Sequence, residues 1–251
     1  MKYLWLLVFL IPVSTFAVDR EVDSGGTKMK DGYLSSVTGE TDYNFGGDTL
    51  IKAGLPASLQ YYRGLIYTTD NIVAADTLVS CSLYIYLKTA ASGGNDSLRI
   101  FRLKTDFKSY VGTANGATAL NSNDWNHRRH TTIAWATAGC NGANDVSSEQ
   151  IGIAPMTGSP GWLAIELDSA VMDSVARDVV TNNGILLRGS NAYDGSYGTF
   201  YSTDVADASK RPYIVYNYLP PTPLKVPRGI HDQAGGAVLN SPQGGSKRSG
   251  P

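Results

Sequence analysis

The stretch LVSCSLYIYL, residues 78–87, carries the clearest alternation in the chain. Successive side chains of an extended strand point to opposite faces. Val79, Cys81, Leu83, Ile85 and Leu87 therefore share one side, and Ser80, Ser82, Tyr84 and Tyr86 share the other. The apolar row has to be covered, so this segment predicts a strand that is core on one face and open on the other.

Shorter runs of the same kind follow one another between residues 31 and 218: RGLIYTT, SLRIFRL, WLAIELD, GILLRGS, GTFYST and RPYIVYNY. Clusters of Gly, Asn, Asp and Ser separate them, which is the pattern of an all-β chain with frequent turns. The expected architecture is an antiparallel two-sheet β-sandwich, jelly-roll-like, with one short helix. In WLAIELD, Leu163, Ile165 and Leu167 belong to the core face and Trp162, Ala164 and Glu166 to the other. In the closing run, Tyr216 and Tyr218 keep step with Ile214 toward the core, while Tyr213, Val215 and Asn217 face outward. DSAVMDSVARDVVTNNG breaks the rhythm: Val171, Val175 and Val179 recur at helical spacing, with Asp168 or Ser169 as N-cap and Asn183-Gly184 as the stop.

The two ends of the chain differ from this middle. Residues 1–17 read as a secretory signal peptide, with Lys2, an apolar run too short to span a bilayer, and Thr15 and Ala17 before the cut. The expected product is secreted and extracellular, with no membrane insertion, and residues 18–30 form a lead-in. Beyond Tyr218 the prolines 220, 221, 223 and 227 end the last strand, since proline supplies no ladder donor. Residues 219–251 have the composition of a flexible Pro/Gly-rich tail. An alternative makes GGAVLN within it a strand donated to a neighbouring subunit. A formal net charge of −1 and a single short basic cluster, HRRH, argue against a nucleic-acid partner.

Motifs for chemistry are sparse. There is no nucleophile elbow, phosphate-cradling loop or zinc-protease helix signature. The four glutamates, Glu21, Glu40, Glu149 and Glu166, do not point to a facing carboxylate pair. His127 and His130 lie three apart but in loop-and-strand context, with no third ligand evident nearby, so a solvated loop is expected there. Asp42, Asp48 and Asp194 sit in Gly-rich loops that turn chemistry or a structural calcium ion would each explain. Cys81 and Cys140, the two cysteines, are expected to pair in an oxidising compartment, the alternative for Cys81 being a small buried hydrophobe.

The fifteen tyrosines and four tryptophans are more informative. A ring offers an apolar face to the CH groups of a sugar while its polar tip stays wet. Tyr84 and Tyr86 are the first candidates for such a platform, joined by Trp162 and Tyr213 if their strands share that sheet. Strand-forming tyrosines also simply cover cross-strand neighbours, and only a contiguous patch carries meaning. An acidic polysaccharide would need cations, for which Arg99 and Arg102 are candidates, within a sequence cluster that includes Lys104, Arg128 and Arg129; surface charge for solubility is the alternative.

In order along residues 31–218, the segments DGYLSSVTGETDYNFGGDTLIKAG, YYRGLIYTTD, VSCSLYIYL, DWNHRRHTTIAW, GWLAIELD, NGILLRGS and FYSTDVADASKRPYIVYNY resemble the DNRLRE-type domain, a family grouped with carbohydrate-binding modules of the alginate-binding kind. The strongest pieces are Asn44-Phe45-Gly46, the strand from Ser80 to Leu87, Trp125 and Arg211-Pro212-Tyr213. The chain departs from the family at Tyr67-Thr68-Thr69, where an Arg-Phe-Asp run is common, and at Asn126-His127, where an acidic residue is common. The resemblance implies a secreted, non-catalytic sandwich that attaches to a polysaccharide or cell-surface glycan. The alternative is a structural subunit of an extracellular fibre, surface layer or virion that self-associates through its sandwich and tail.

Overall fold

The computed structural model of the chain describes residues 17–22, 28–68, 77–92, 96–190 and 194–220. The expectations for the leader and for GGAVLN and the rest of the tail lie outside the described residues. Among those residues, no helix is long and apolar enough to cross a membrane.

The strands, in chain order, are β1 (Val18–Val22), β2 (Met29–Ser35), β3 (Leu50–Ala57), β4 (Gln60–Thr68), β5 (Thr77–Thr89), β6 (Ser97–Leu103), β7 (His127–Arg129), β8 (Ile133–Ala134), β9 (Val146–Pro155), β10 (Gly161–Leu167), β11 (Ile185–Gly189), β12 (Ser196–Tyr201) and β13 (Tyr213–Leu219). One helix, α1 (Ser169–Ala176), follows β10. The main strand order is β1-β13-β5-β12-β3-β4-β11-β6-β9, with β10 along β5, β2 along β4, and β7-β8 as a separate hairpin. The ladders are antiparallel, and the layers form a large sandwich that is nearly a barrel. The all-β expectation is met.

The alternation in β5 is the frame of the core. Cys81, Leu83, Ile85 and Leu87 are fully buried, which stabilises the fold by roughly 1.5–3 kcal/mol for each large side chain. They meet Ile165 and Leu167 of β10, Ile214 and Tyr216 of β13 and Phe200 of β12 in one cluster. Val79 is an exception to the expected row, being 48 % exposed. The register against β13 shifts there, Asn217 facing Ser80 and Tyr218 facing Leu78, so Val79 is an extra residue and Leu78 takes the inward position. The same shift leaves Tyr218 only half-buried.

The helix is shorter than the valine spacing predicts. Asp168 is the N-cap, its carboxylate accepting from the backbone N–H groups of Ala170 and Val171. The helix stops at Ala176, and Asp178 turns left-handed at φ 56°. Its buried stripe is Met172, Val175 and Ala176. Val179 falls past the end and is exposed.

A second core lies under the excursion from residue 104 to 145. In β4, Ile66 joins the sandwich core while Leu65 and Tyr67 point the other way; in β11, Ile185 and Leu187 face the sandwich and Leu186 does not. These strands are buried on both faces, which is why they read as continuous apolar runs instead of alternating ones. Phe107, Val111, Trp135 and Cys140 from the excursion cover that outer face.

This arrangement corrects the disulfide expectation. Cys81 belongs to the sandwich core and Cys140 to the second cluster, and both thiols are unbonded and buried. Each behaves as a small apolar residue, and burial raises both thiol pKa values.

Candidate functional site

The open face of β5 and its neighbours carries a continuous chain of rings. Tyr84 of β5 lies directly opposite Tyr213 of β13, and Tyr86 opposite Trp162 of β10. The Tyr84 and Tyr213 rings stack at 4.6 Å and 4°. Trp162 meets Tyr213 edge-on at 5.2 Å and Tyr86 at 5.4 Å. Tyr201, the last residue of β12, extends the row, 5.6 Å from Tyr86. Trp162 is 40 % exposed and the four tyrosines are half-buried, so the rings lean on one another and keep surface open to solvent. Tyr84 and Tyr86 share a face by alternation, and the pairing of β10 and β13 with β5 is what brings Trp162 and Tyr213 beside them.

Two lysines border this row. Lys210 Nζ lies 5.5 Å from the Tyr201 ring centre and 5.8 Å from that of Tyr86, and Lys88 Nζ lies 5.8 Å from Tyr201. Lys210 ends the 3₁₀ turn Ala208–Lys210 and pairs with Asp207 at 2.9 Å. That bond raises the Lys210 pKa, while hydrogen bonds from Ser209 and Lys210 lower that of Asp207. Lys88 was legible in the sequence, since it continues the even-numbered row of β5. Tyr201 and Lys210 were not, because they reach the patch only through the pairing of β12 with β5 and the turn before β13.

No protein-family model matches this chain, and no curated protein matches it.

Arg99 and Arg102 do not join the aromatic row. Both are on β6, whose neighbours are β11 and β9, far along the strand order from β5. Arg99 stands beside Arg188 of β11 and is exposed; Arg102 donates to the Leu103 carbonyl. The two are also three residues apart on a strand that pairs regularly with β11, so alternation sends them to opposite faces of β6. The cations of the aromatic face are lysines from other segments.

The loop residues set aside in the sequence reading are organised by the excursion over the second core. His130 is buried and His127 is partly buried, contrary to a solvated loop. A third group is present after all: the buried carboxylate of Asp124, 3.1 Å from His127 Nδ1 and 2.5 Å from His130 Nδ1. The signal was Asp124 itself, three residues before His127. Asp48 does turn work, accepting from the Leu50 N–H and the Tyr33 hydroxyl, and Asp42 accepts from the Asn126 side chain.

Two buried charges complete the electrostatics. Asp31 accepts from the Thr203 N–H through Oδ2, and its Oδ1 has no hydrogen-bond partner. Burial, the largest cause, pushes its pKa up to about 7, with Asp204 and Asp48 adding to the rise. It lines a cavity with Lys30, Lys108 and Asp204. Arg63 is held near the parallel rings of Tyr61 and Trp125, 4.9 Å from Trp125, and donates to the Gly139 carbonyl. Burial lowers its pKa to about 10. Gly139 has φ 73°, and a Cβ there would lie 2.4 Å from the Trp125 ring, so only glycine lets this loop close on the indole.

Proposed function

We propose that the chain is a secreted, non-catalytic module that binds a polysaccharide or cell-surface glycan across the row Tyr84, Tyr86, Trp162, Tyr201 and Tyr213. The observation that carries this is contiguity: five rings from four strands form one partly open surface, where scattered aromatics would mean little. Ring faces offer apolar area to sugar CH groups, and Lys88 and Lys210 add donors that favour an acidic glycan. Further support comes from the signal-peptide-like first 17 residues and from the resemblance of residues 31–218 to the DNRLRE-type domain.

The test is retention of the mature chain on immobilised acidic and neutral polysaccharides. Tyr84→Ala and Trp162→Ala should remove retention while thermal unfolding stays cooperative; retention unaffected by both would refute the proposal.

A second reading, self-assembly as a fibre, surface-layer or virion subunit, draws on β1, which stands at the end of the strand order and so, among the described residues, has one edge without a strand partner. It predicts oligomers by size exclusion, whereas the glycan-binding module elutes as a monomer.

A further inference from the structure

Among the described residues, three side chains able to ligate a metal come together in the excursion that covers the second core. Asp124, His127 and His130 each offer one ligand atom, and these lie within 4.8 Å of one another. We propose that the three side chains hold one divalent transition-metal ion of the zinc class.

Four observations support this. First, the donor set is one carboxylate oxygen and two imidazole nitrogens, a borderline set that suits zinc, cobalt or nickel and not calcium. Secondly, the His127 Nδ1 distances to the two Asp124 oxygens, 3.1 and 3.2 Å, are close to the roughly 3.3 Å between ligands expected of a tetrahedral ion with bonds near 2 Å. His130 Nδ1 is nearer, at 2.5 Å, and a small outward turn of its ring admits the ion.

Thirdly, the carboxylate is oriented in advance. Its Oδ1 accepts from the backbone N–H groups of Asn126 at 2.8 Å and His127 at 2.7 Å, and the Asp124 carbonyl accepts from the Trp135 indole at 2.9 Å. Such outer contacts fix a ligand before the metal arrives. The loop itself is anchored, His130 N–H to the Ser122 carbonyl and Asn123 N–H to the Tyr110 carbonyl, both at 2.6 Å. Fourthly, the Asp124 side chain is 1 % exposed and its described ion pairs are to these two imidazoles alone. A buried carboxylate needs compensating positive charge, and a divalent ion shared with two neutral imidazoles provides it. The His127 side chain is 27 % exposed, so the ion is reachable from that side.

This site is independent of the glycan-binding proposal. The experiment uses the untagged chain, stripped of metal and then loaded with Zn²⁺ or Co²⁺. The chain's third histidine, His231, is outside the described residues, and His231→Ala serves as control. One equivalent of Zn²⁺ should survive gel filtration, and Co²⁺ should give visible ligand-field absorption, in the wild type and in His231→Ala. His127→Ala, at the exposed side of the cluster, should fold and bind at least tenfold more weakly, and His130→Ala should do the same. Should Asp124→Asn misfold, the two histidine variants still decide. Absence of retained Zn²⁺ and of cobalt absorption in the folded wild type overturns the site, and so does full binding by His127→Ala and His130→Ala.

Discussion

Tyr84 and Tyr213 face each other across the β5–β13 ladder with their rings 4.6 Å apart and parallel to within 4°. The pair lies on the solvent side of the sheet, directly above the core residues Leu83 and Ile214 that are themselves cross-strand partners. One register therefore sets both the seal of the core and the flatness of the aromatic surface.

Because each ring in that row is supported by another, truncating one should cost stability modestly and binding heavily. Tyr84→Ala is expected to lose about 0.5–1.5 kcal/mol of folding stability and at least tenfold in glycan affinity. Chemical denaturation alongside affinity electrophoresis checks this; a large loss of stability with unchanged affinity would assign the ring to structure alone.

Asp31 predicts an unusual pH dependence. Its folded-state pKa, about 7, lies above the ordinary 3.8, so the folded state holds a proton that the unfolded chain has released. The contribution of this group is fully present below pH 4 and is lost as pH rises toward 7, by up to about 4 kcal/mol. Asp31→Asn keeps an acceptor for the Thr203 N–H and should flatten this fall, leaving the variant more stable than wild type at pH 8. Denaturation midpoints at pH 5 and pH 8 for both chains would show it; identical pH slopes would count against it.

Asn44 ties the opening loop to the excursion. Its Nδ2 donates to the Val111 and Asn123 carbonyls at 2.6 and 2.9 Å, and its Oδ1 accepts from the N–H groups of Gly46 and Ala114 at 3.2 Å. Asn44→Ala leaves several buried polar groups unsatisfied and should destabilise the protein by about 3 kcal/mol. A shift of the urea midpoint worth less than about 1 kcal/mol would mean the loops are held by other contacts.

The thiols should be silent in the native protein. Cys81 and Cys140 are fully buried and unbonded, so a thiol reagent should label neither in buffer and both after unfolding without reductant. A mass lower by two hydrogens, or no labelling of the unfolded chain, would restore the disulfide.

The sequence by itself determined the all-β class, the inward row of β5 from Cys81 to Leu87, a helix cap at Asp168 or Ser169 and the outward face shared by Tyr84 and Tyr86. All of these follow from local rules: period-two alternation assigns a face to each residue, and a capping carboxylate acts within three residues of itself. The tertiary structure decided what depends on pairing between distant segments. The β13 register turned Val79 outward, the packing of the excursion on strands buried on both sides kept Cys81 apart from Cys140, and the folding of residues 122–135 gathered Asp124, His127 and His130. Alternation says which face a side chain takes, but not which strand lies beside it, because neighbours in a sheet are chosen by long-range burial and loop closure.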